Sequence, residues 1–330
     1  MSVLKYENIQ WSVPTLFFDD SFAIAYADVL ESLNVPNPIK YVYGMVSSQW
    51  SGGRNATIKL QDKDIIVKVI KELTKRGLTP AFTFSNKIIN QEVLENEYCN
   101  WLLDVGVENN CQFIIVSDKL FYHIKSRYPE AKCVSSVIQP MALPELAKDV
   151  QKEIDFYNER LDRYDRVVVR PDFSVDLLEH KDKISDISRI EVLVNQTCRK
   201  NCPGYCYSVI SKSENINSEI NIKIKCAVEM YTREHGSADF CRTQSIMHTE
   251  ELIRNLMDIG VIDFKVQGRH YHKPYCRQII NDHLLKDIGT SLLVKDRITD
   301  YANKLDQTNY LYSNNFIDKN FVLVQRKRNV

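Results

Sequence analysis

The chain has 330 residues, of which 44% are apolar and 26% are charged. This composition can bury a core, and it excludes a disordered, collagen-like or coiled-coil protein. The 43 Lys and Arg residues balance 43 Asp and Glu residues, so net charge supplies no general attraction to nucleic acid or to an anionic membrane. A charged partner would have to be bound at a local site.

No apolar run is long enough to cross a membrane, and Glu7 and Gln10 interrupt the amino terminus where a signal peptide needs a continuous apolar core. We therefore expect a soluble, cytoplasmic protein without membrane partners. The 9 cysteines are too few for a disulfide scaffold, and a reducing compartment would keep them as thiols. Their spacing is therefore more informative than their number.

Short β-branched or aromatic runs alternate with helical patterns along the whole chain, which is typical of repeated βα units. The predicted strands centre on residues 15–18, 39–45, 79–84, 112–116, 132–137, 166–170, 189–194 and 261–266. Several are almost wholly apolar, as expected for parallel strands that are covered on both faces. We predict a single α/β domain over residues 1–330, a closed (β/α)8 barrel of the TIM-barrel type, with an open doubly wound sheet as the alternative.

Two predicted helices have clear ends. Asp62 or Asp64 can cap the first, and Gly77 lies where a left-handed terminator is expected. Thr249 begins the second, which stops at Gly260. The residues expected to be buried are Ile66, Val69, Ile70 and Leu73 in the first helix and Leu252, Ile253, Leu256 and Met257 in the second. Two further helices are expected over residues 93–107 and 150–161.

The connection between the seventh and eighth predicted strands is much longer than the others, and we predict a cysteine-bearing insertion there, at approximately residues 196–248. Cys198, Cys202 and Cys206 follow the seventh strand, each separated from the next by three residues. Thiolates this close together repel one another and need a cation between them. Cys241 is the best candidate for a fourth ligand, with Cys226 in reserve.

The triplet suits a 4Fe-4S cluster, and a zinc ion is the alternative because four thiolates also suit zinc. The chain lacks the two C-x2-C knuckles of a zinc ribbon, and its spacing differs from the C-x3-C-x2-C of radical S-adenosylmethionine enzymes. The remaining cysteines lie in helix or strand patterns. Cys99, Cys111 and Cys133 are expected to be small buried side chains, and Cys276 is left open as a replacement ligand.

Two segments resemble the peptidase family U32, also called the collagenase-like protease family. The first has Glu191 on a strand, then Cys198, then Gly204-Tyr205-Cys206-Tyr207-Ser208, although the interval before the glycine is one residue longer than the family's and contains Cys202. The second, residues 260–269, reads GVIDFKVQGR and is similar to the family's G-V-x-x-F-K-I-E-G-R strand, with Gln267 in place of the glutamate.

The resemblance implies an iron–sulfur protein with a four-iron cluster at the barrel mouth, acting in oxygen-independent hydroxylation or related redox chemistry on a small molecule or an RNA base. Cys198 and Cys206 match the first pair of family ligands. Cys241 stands alone where the family often has a close pair, so Cys202 is expected to complete the set. The alternatives are a zinc- or cluster-stabilised barrel that serves as a protein partner or scaffold subunit, and a U32-type peptidase.

Barrel enzymes place their active sites at the carboxyl ends of the strands. On that basis the predicted catalytic residues are Lys265, Asp172 and Arg170, and the predicted substrate-binding residues are Asp20, Gln49, Arg54, Asn195, Gln267 and Arg269. Lys265 is expected to point into the barrel and to pair with a carboxylate, for which Asp172 or Asp20 is proposed. For each aspartate a helix cap is the competing interpretation.

Overall fold

A computed structural model describes residues 2–54, 62–199, 245–268, 272–308 and 310–311. The strands are Gln10–Leu16 (β1), Ile39–Gly44 (β2), Thr79–Phe84 (β3), Gln112–Ile115 (β4), Lys132–Ser135 (β5), Arg166–Val168 (β6), Ile190–Leu193 (β7), Asn195–Arg199 (β8), Ser245–Met247 (β9) and Asp263–Lys265 (β10). Eight of them form a closed barrel in the order β1-β10-β7-β6-β5-β4-β3-β2, with every neighbouring pair parallel. The predicted (β/α)8 barrel is confirmed.

Helices follow the barrel strands and cover their outer faces. They are Asp20–Ser32 (α1), Lys63–Thr74 (α2), Gln91–Leu94 (α3), Glu97–Glu108 (α4), Asp118–Arg127 (α5), Ile138–Met141 (α6), Val150–Leu161 (α7), Phe173–His180 (α8), Glu250–Asp258 (α9), Lys273–Leu284 (α10) and Thr290–Gln307 (α11). Short 3-10 helices lie at Gln49–Arg54, Leu146–Lys148, Lys181–Lys183 and Ile187–Arg189. Among the helices in the described ranges, none combines the length and apolar character needed to span a bilayer.

The predicted helix ends are largely confirmed. The Asp62 carboxylate accepts hydrogen bonds from the backbone N–H groups of Asp64 and Ile65, and the Thr249 side chain accepts one from Leu252. One helix differs from its prediction: the segment expected as a single helix over residues 93–107 is divided into α3 and α4. Asn96 begins the second of these by accepting a hydrogen bond from the N–H of Cys99.

Strand β1 begins earlier than the sequence pattern indicates, at Gln10 instead of near Thr15. Pro14 has no N–H to donate to a ladder, so local sequence does not favour a strand that runs through it. In the structure the pairing with β2 is irregular between Val13 and Leu16, so Pro14 lies at a bulge where its missing donor costs little.

The core has two parts. Most buried apolar side chains lie between the barrel and its helices, whereas a small inner layer fills the barrel itself. That inner layer consists of Tyr43, Ala81, Ile114, Val134 and Val168. Because side chains alternate along a strand, residues two positions away from these also face the barrel interior.

An additional antiparallel pair extends from the carboxyl end of β7. In this pair β8 and β9 are joined with Asn195 opposite Met247 and Arg199 opposite Ser245. The two strands enclose the segment between residues 199 and 245, and most of the predicted insertion lies outside the described residues.

Candidate functional site

Four ionisable side chains from three adjacent strands meet inside the barrel. Arg166 lies on β6, Glu191 on β7, and Asp263 and Lys265 lie on β10. Their exposed fractions are 3%, 0%, 6% and 6%, respectively, so these charges are almost fully removed from water. Charges this deeply buried are stable only when they compensate one another.

Glu191 is the centre of this network. Its Oε2 atom lies 3.5 Å from the Lys265 Nζ atom and 3.6 Å from the Arg166 Nε atom. Its Oε1 atom accepts a hydrogen bond from the Ser12 hydroxyl on β1. One carboxylate therefore faces two cations and a hydroxyl donor that come from three other strands.

Two tyrosines of β2 cover the two cations. The Arg166 guanidinium lies 3.6 Å from the centre of the Tyr41 ring, and the Lys265 ammonium lies 3.9 Å from the centre of the Tyr43 ring. A cation over an aromatic face is attracted by the ring's negative charge distribution, most strongly when water is excluded. Each buried cation thus has an aromatic partner as well as a carboxylate.

The two carboxylates of the network titrate in opposite directions. Burial opposes ionisation of Glu191, but the nearby Arg166 and Lys265 charges outweigh it and lower the pKa of Glu191 below its usual value. Burial raises the pKa of Asp263 to about 7, and the charge of Glu191 adds to that rise. The Oδ1 atom of Asp263 lies 3.8 Å from Arg166 and has no hydrogen-bond partner among the described residues. Glu191 therefore carries the network's permanent negative charge.

The prediction that Lys265 points into the barrel agrees with this geometry, but the proposed carboxylate partner was wrong. Its partner is Glu191, whereas Asp172 is bound to Arg170 and Asp20 accepts a hydrogen bond of 2.9 Å from the N–H of Phe17. Glu191 was considered only as part of a family motif, although the predicted barrel places its strand next to the strand of Lys265.

Arg170 and Asp172, both predicted to be catalytic, form a two-point ion pair just beyond β6. The Arg170 Nε and Nη2 atoms donate hydrogen bonds of 3.1 and 2.8 Å to the Asp172 carboxylate. Glu153 of α7 lies 3.5 Å from the same guanidinium, and burial raises its pKa to about 7. The Asp172 side chain does not cap α8. The pair anchors the loop after β6 to α7.

Asn195 and Gln267, both predicted to bind substrate, are bound to each other at the barrel rim. The Asn195 Nδ2 atom donates a hydrogen bond of 2.9 Å to the Gln267 carbonyl, and its Oδ1 atom accepts one of 2.8 Å from the Gln267 N–H. The Asn195 side chain thus joins the chain after β7 to the chain after β10. These two hydrogen bonds form a clamp between the two segments, and they give Asn195 a structural role.

Two more predicted substrate ligands lie in the loop after β2, in the 3-10 helix Gln49–Arg54. Gln49 is exposed, and its carbonyl accepts a hydrogen bond of 2.8 Å from the Asn86 side chain. The side chain of Arg54 and the whole of Arg269 lie outside the described residues, so their roles stay predictions.

Of the predicted cluster ligands, Cys198 lies on β8 and its side chain is outside the described part of the structure. Cys202, Cys206, Cys226 and Cys241 also lie outside it. Within the described ranges, no group of three or more His, Cys, Asp or Glu residues could hold a metal ion. Cys276 is buried in α10, where burial raises the pKa of its thiol to about 12, and its place as a replacement ligand stays a prediction. Cys99, Cys111 and Cys133 are buried free thiols, as predicted.

One contact that the sequence did not reveal joins Ser174 of α8 to His248, which directly follows β9. The Ser174 Oγ atom lies 2.5 Å from the His248 Nε2 atom, and the same hydroxyl donates a hydrogen bond to the Pro171 carbonyl. A hydroxyl has one hydrogen, so His248 must be the donor to Ser174. A general base needs that nitrogen free of its proton. The pair therefore fastens the end of β9 to the barrel and is not arranged as a nucleophile with its base.

Comparisons with known proteins give matches among solved structures. No protein-family model matches the chain, and no curated protein matches it. Among solved structures, the U32 peptidase Mk0906 is similar with a TM-score of 0.45 and 12% sequence identity, covering 79% of this chain and 92% of that protein. An α-amylase from Lactobacillus plantarum has a TM-score of 0.38 and 10% identity, covering 89% and 80% of the two chains. The barrel assignment is based on the strand order itself.

Proposed function

We propose that this chain is an iron–sulfur-dependent barrel enzyme similar to the U32 family. Cys198, Cys202, Cys206 and Cys241 would hold a 4Fe-4S cluster at the carboxyl end of the barrel. The reaction would be oxygen-independent hydroxylation or related redox chemistry on a small molecule or a nucleic-acid base.

The observation that carries this proposal is the pairing of β8 with β9. Arg199, the residue after Cys198, lies opposite Ser245, which follows Cys241 by four residues in the sequence. The pairing therefore brings together the two ends of the segment that follows Cys198 and contains Cys202, Cys206 and Cys241. Only Val194 separates β7 from β8, so the Asn195–Met247 end of this pair adjoins the rim where barrel enzymes keep their active sites, and the pair extends outward from there.

The donor set fits the proposed cluster. Cysteine thiolates are the usual ligands of a 4Fe-4S cluster, and the triplet with Cys241 supplies four of them. When bound, the cluster would supply electron transfer. The protein's own contribution would be the charged barrel interior centred on Glu191 and the fixed rim made by Asn195 and Gln267. We place the enzyme in the cytoplasm because a reducing compartment keeps such thiols available for a cluster.

Metal and acid-labile sulfide analysis of anaerobically purified protein tests the proposal. We expect about four iron and four sulfide per chain and a brown visible absorbance, both lost in Cys198→Ser. Cys133→Ser is the matched control, because Cys133 is buried on β5 and is not one of the proposed ligands, and it should keep the full iron content.

Two results would contradict the proposal. A colourless protein with zinc and no sulfide would favour the zinc-stabilised scaffold. Protein that contains neither metal, with Cys198→Ser identical to the parent, would exclude both kinds of site. A role as a scaffold subunit for a protein partner would then not involve a metal centre.

A further inference from the structure

The network inside the barrel contains two basic side chains, Arg166 and Lys265, but only one carboxylate, Glu191, whose pKa is below its usual value, since burial raises that of Asp263 to about 7. Arg166 and Lys265 both face the Oε2 atom of Glu191, at 3.6 and 3.5 Å. Without that carboxylate the two cations would repel each other in a region that is shielded from bulk solvent. Glu191 is therefore the group on which the protonation of Lys265 depends.

The position of the Lys265 side chain is fixed by several strands together. The Tyr43 ring lies against its ammonium, and the Tyr43 hydroxyl is itself held by a hydrogen bond of 2.8 Å to the Val266 carbonyl. Ser12 fixes the other oxygen of Glu191, so that the carboxylate presents Oε2 to Lys265. These contacts leave the ammonium little freedom to move.

We propose that Glu191 is a positioning residue for the barrel's reaction, and that it keeps Lys265 protonated and oriented so that the ammonium can contact a polar oxygen of the substrate. Lys265 is the last residue of β10, at the carboxyl end of the barrel. This role deepens the proposed function and depends on it for the identity of the reaction. Glu191 would act through Lys265 and would not touch the substrate itself.

The experiment is competitive acetylation of lysine amines with acetic anhydride over a range of pH, followed by mass spectrometry of the peptide that contains Lys265. The midpoint of the pH dependence reports the pKa of Lys265, whereas the plateau reports only its access to the reagent. For the full wild-type chain we expect a midpoint at or above the value of an ordinary lysine, about 10.4. In Glu191→Gln the opposing charge is lost, and the midpoint should fall by about one unit or more, which is a tenfold rise in free amine at a fixed pH below the midpoint.

Two variants control this result. Glu153→Gln removes another buried carboxylate that pairs with an arginine, but it lies on α7, so the Lys265 midpoint should not change. Glu191→Asp keeps the charge with a shorter reach, and most of the wild-type midpoint should be recovered. If a weakened core lowered the Lys265 midpoint unspecifically, the midpoint would fall by similar amounts in Glu191→Gln, Glu191→Asp and Glu153→Gln.

A folded Glu191→Gln protein with an unchanged Lys265 midpoint would overturn the inference. If that variant does not fold, Ser12→Ala removes the hydrogen bond to Glu191 while keeping the carboxylate, and a smaller fall of the midpoint is expected; no fall would likewise overturn it. Iron and sulfide are measured on the same preparations. If the protein lacks iron but the Lys265 midpoint falls as expected in Glu191→Gln, the role of Glu191 is supported and the proposed function is contradicted.

Discussion

The hydroxyl of Tyr43 on β2 donates a hydrogen bond of 2.8 Å to the carbonyl of Val266, the residue that follows β10. Strands β2 and β10 are not neighbours, because β1 lies between them in the barrel. The bond therefore spans the inside of the barrel and joins backbone on one side of β1 to a side chain on the other. It also holds the ring that lies against the Lys265 ammonium.

Replacing Tyr43 by Phe should destabilise the protein while keeping the aromatic face against Lys265. The Val266 carbonyl would lose its buried donor, and we expect the free energy of unfolding to fall by about 1–2 kcal/mol in urea titrations. Tyr26→Phe is the matched control, since the buried Tyr26 hydroxyl on α1 has no hydrogen-bond partner among the described residues. That change should be neutral or slightly stabilising. Equal losses in the two variants would show that the Tyr43 bond contributes nothing specific.

Asp263 should make the protein less stable as the pH rises towards neutrality. Its pKa is about 7 in the folded chain and about 3.9 when unfolded, so the folded state holds the proton more tightly. Stability from this group is complete below about pH 4, is lost as the pH rises to 7, and changes little above that. Asp263→Asn cannot titrate, and between pH 5 and pH 7.5 its free energy of unfolding should rise relative to wild type by on the order of 2 kcal/mol.

Urea unfolding at the two pH values measures this difference. Glu153→Gln should show a similar trend, because burial also raises the pKa of Glu153 to about 7. The two residues are in separate ion networks, so the double variant should show the sum of the two effects. Parallel stability curves for wild type and Asp263→Asn would mean that Asp263 is ionised in the folded protein over this range.

Much of the barrel could be predicted from the sequence because its determinants are local. The apolar runs of β2 to β7 and the caps at Asp62 and Thr249 depend on residues within a few positions of one another. The start of β1 was missed because Pro14 interrupts the local pattern. Its place at a bulge depends on the partner strand β2, which is distant in sequence.

The candidate site was predictable only in part, for the same physical reason. That Lys265 faces inward follows from the alternation of side chains along a strand. The predicted barrel makes β7 and β10 neighbours, but that Glu191 is the partner of Lys265 depends on the register of the two strands, which no sequence spacing shows. One signal was present: Arg166, Glu191, Asp263 and Lys265 are charged residues in strands whose other residues are apolar, and such residues must find partners inside the fold.

Gly44 should be among the least replaceable residues of the barrel. A Cβ atom at this position would lie 2.0 Å from the Leu16 carbonyl oxygen, and backbone cannot move aside as a side chain can. Gly44→Ala should therefore lower the free energy of unfolding by about 3 kcal/mol or more, or prevent folding. Gly77→Ala is the control: its φ of +71° strains a side chain, but a Cβ there meets nothing within 4 Å, so a loss of about 1 kcal/mol is expected. Comparable thermal unfolding of the two variants would argue against the close approach of β1 and β2.

Asn195 should act as a clamp between the ends of β7 and β10, and not as a substrate ligand. Asn195→Ala leaves the N–H and the carbonyl of Gln267 without their side-chain partner, at a cost of about 2 kcal/mol in urea unfolding. Asn195→Asp tests the geometry more sharply. Its carboxylate can still accept from the N–H, but it must face the Gln267 carbonyl with a negative charge and no donor.

The aspartate variant should therefore recover stability relative to wild type as the pH is lowered towards 4, because the protonated carboxyl can donate to that carbonyl again. A carboxylate that the fold disfavours has a raised pKa. The loss of stability that it causes is therefore present at neutral pH and disappears in acid. Asn195→Ala has no such group and should show no recovery. If both variants unfold like wild type at pH 7, Asn195 does not hold the rim, and its prediction as a substrate ligand would again be the better interpretation.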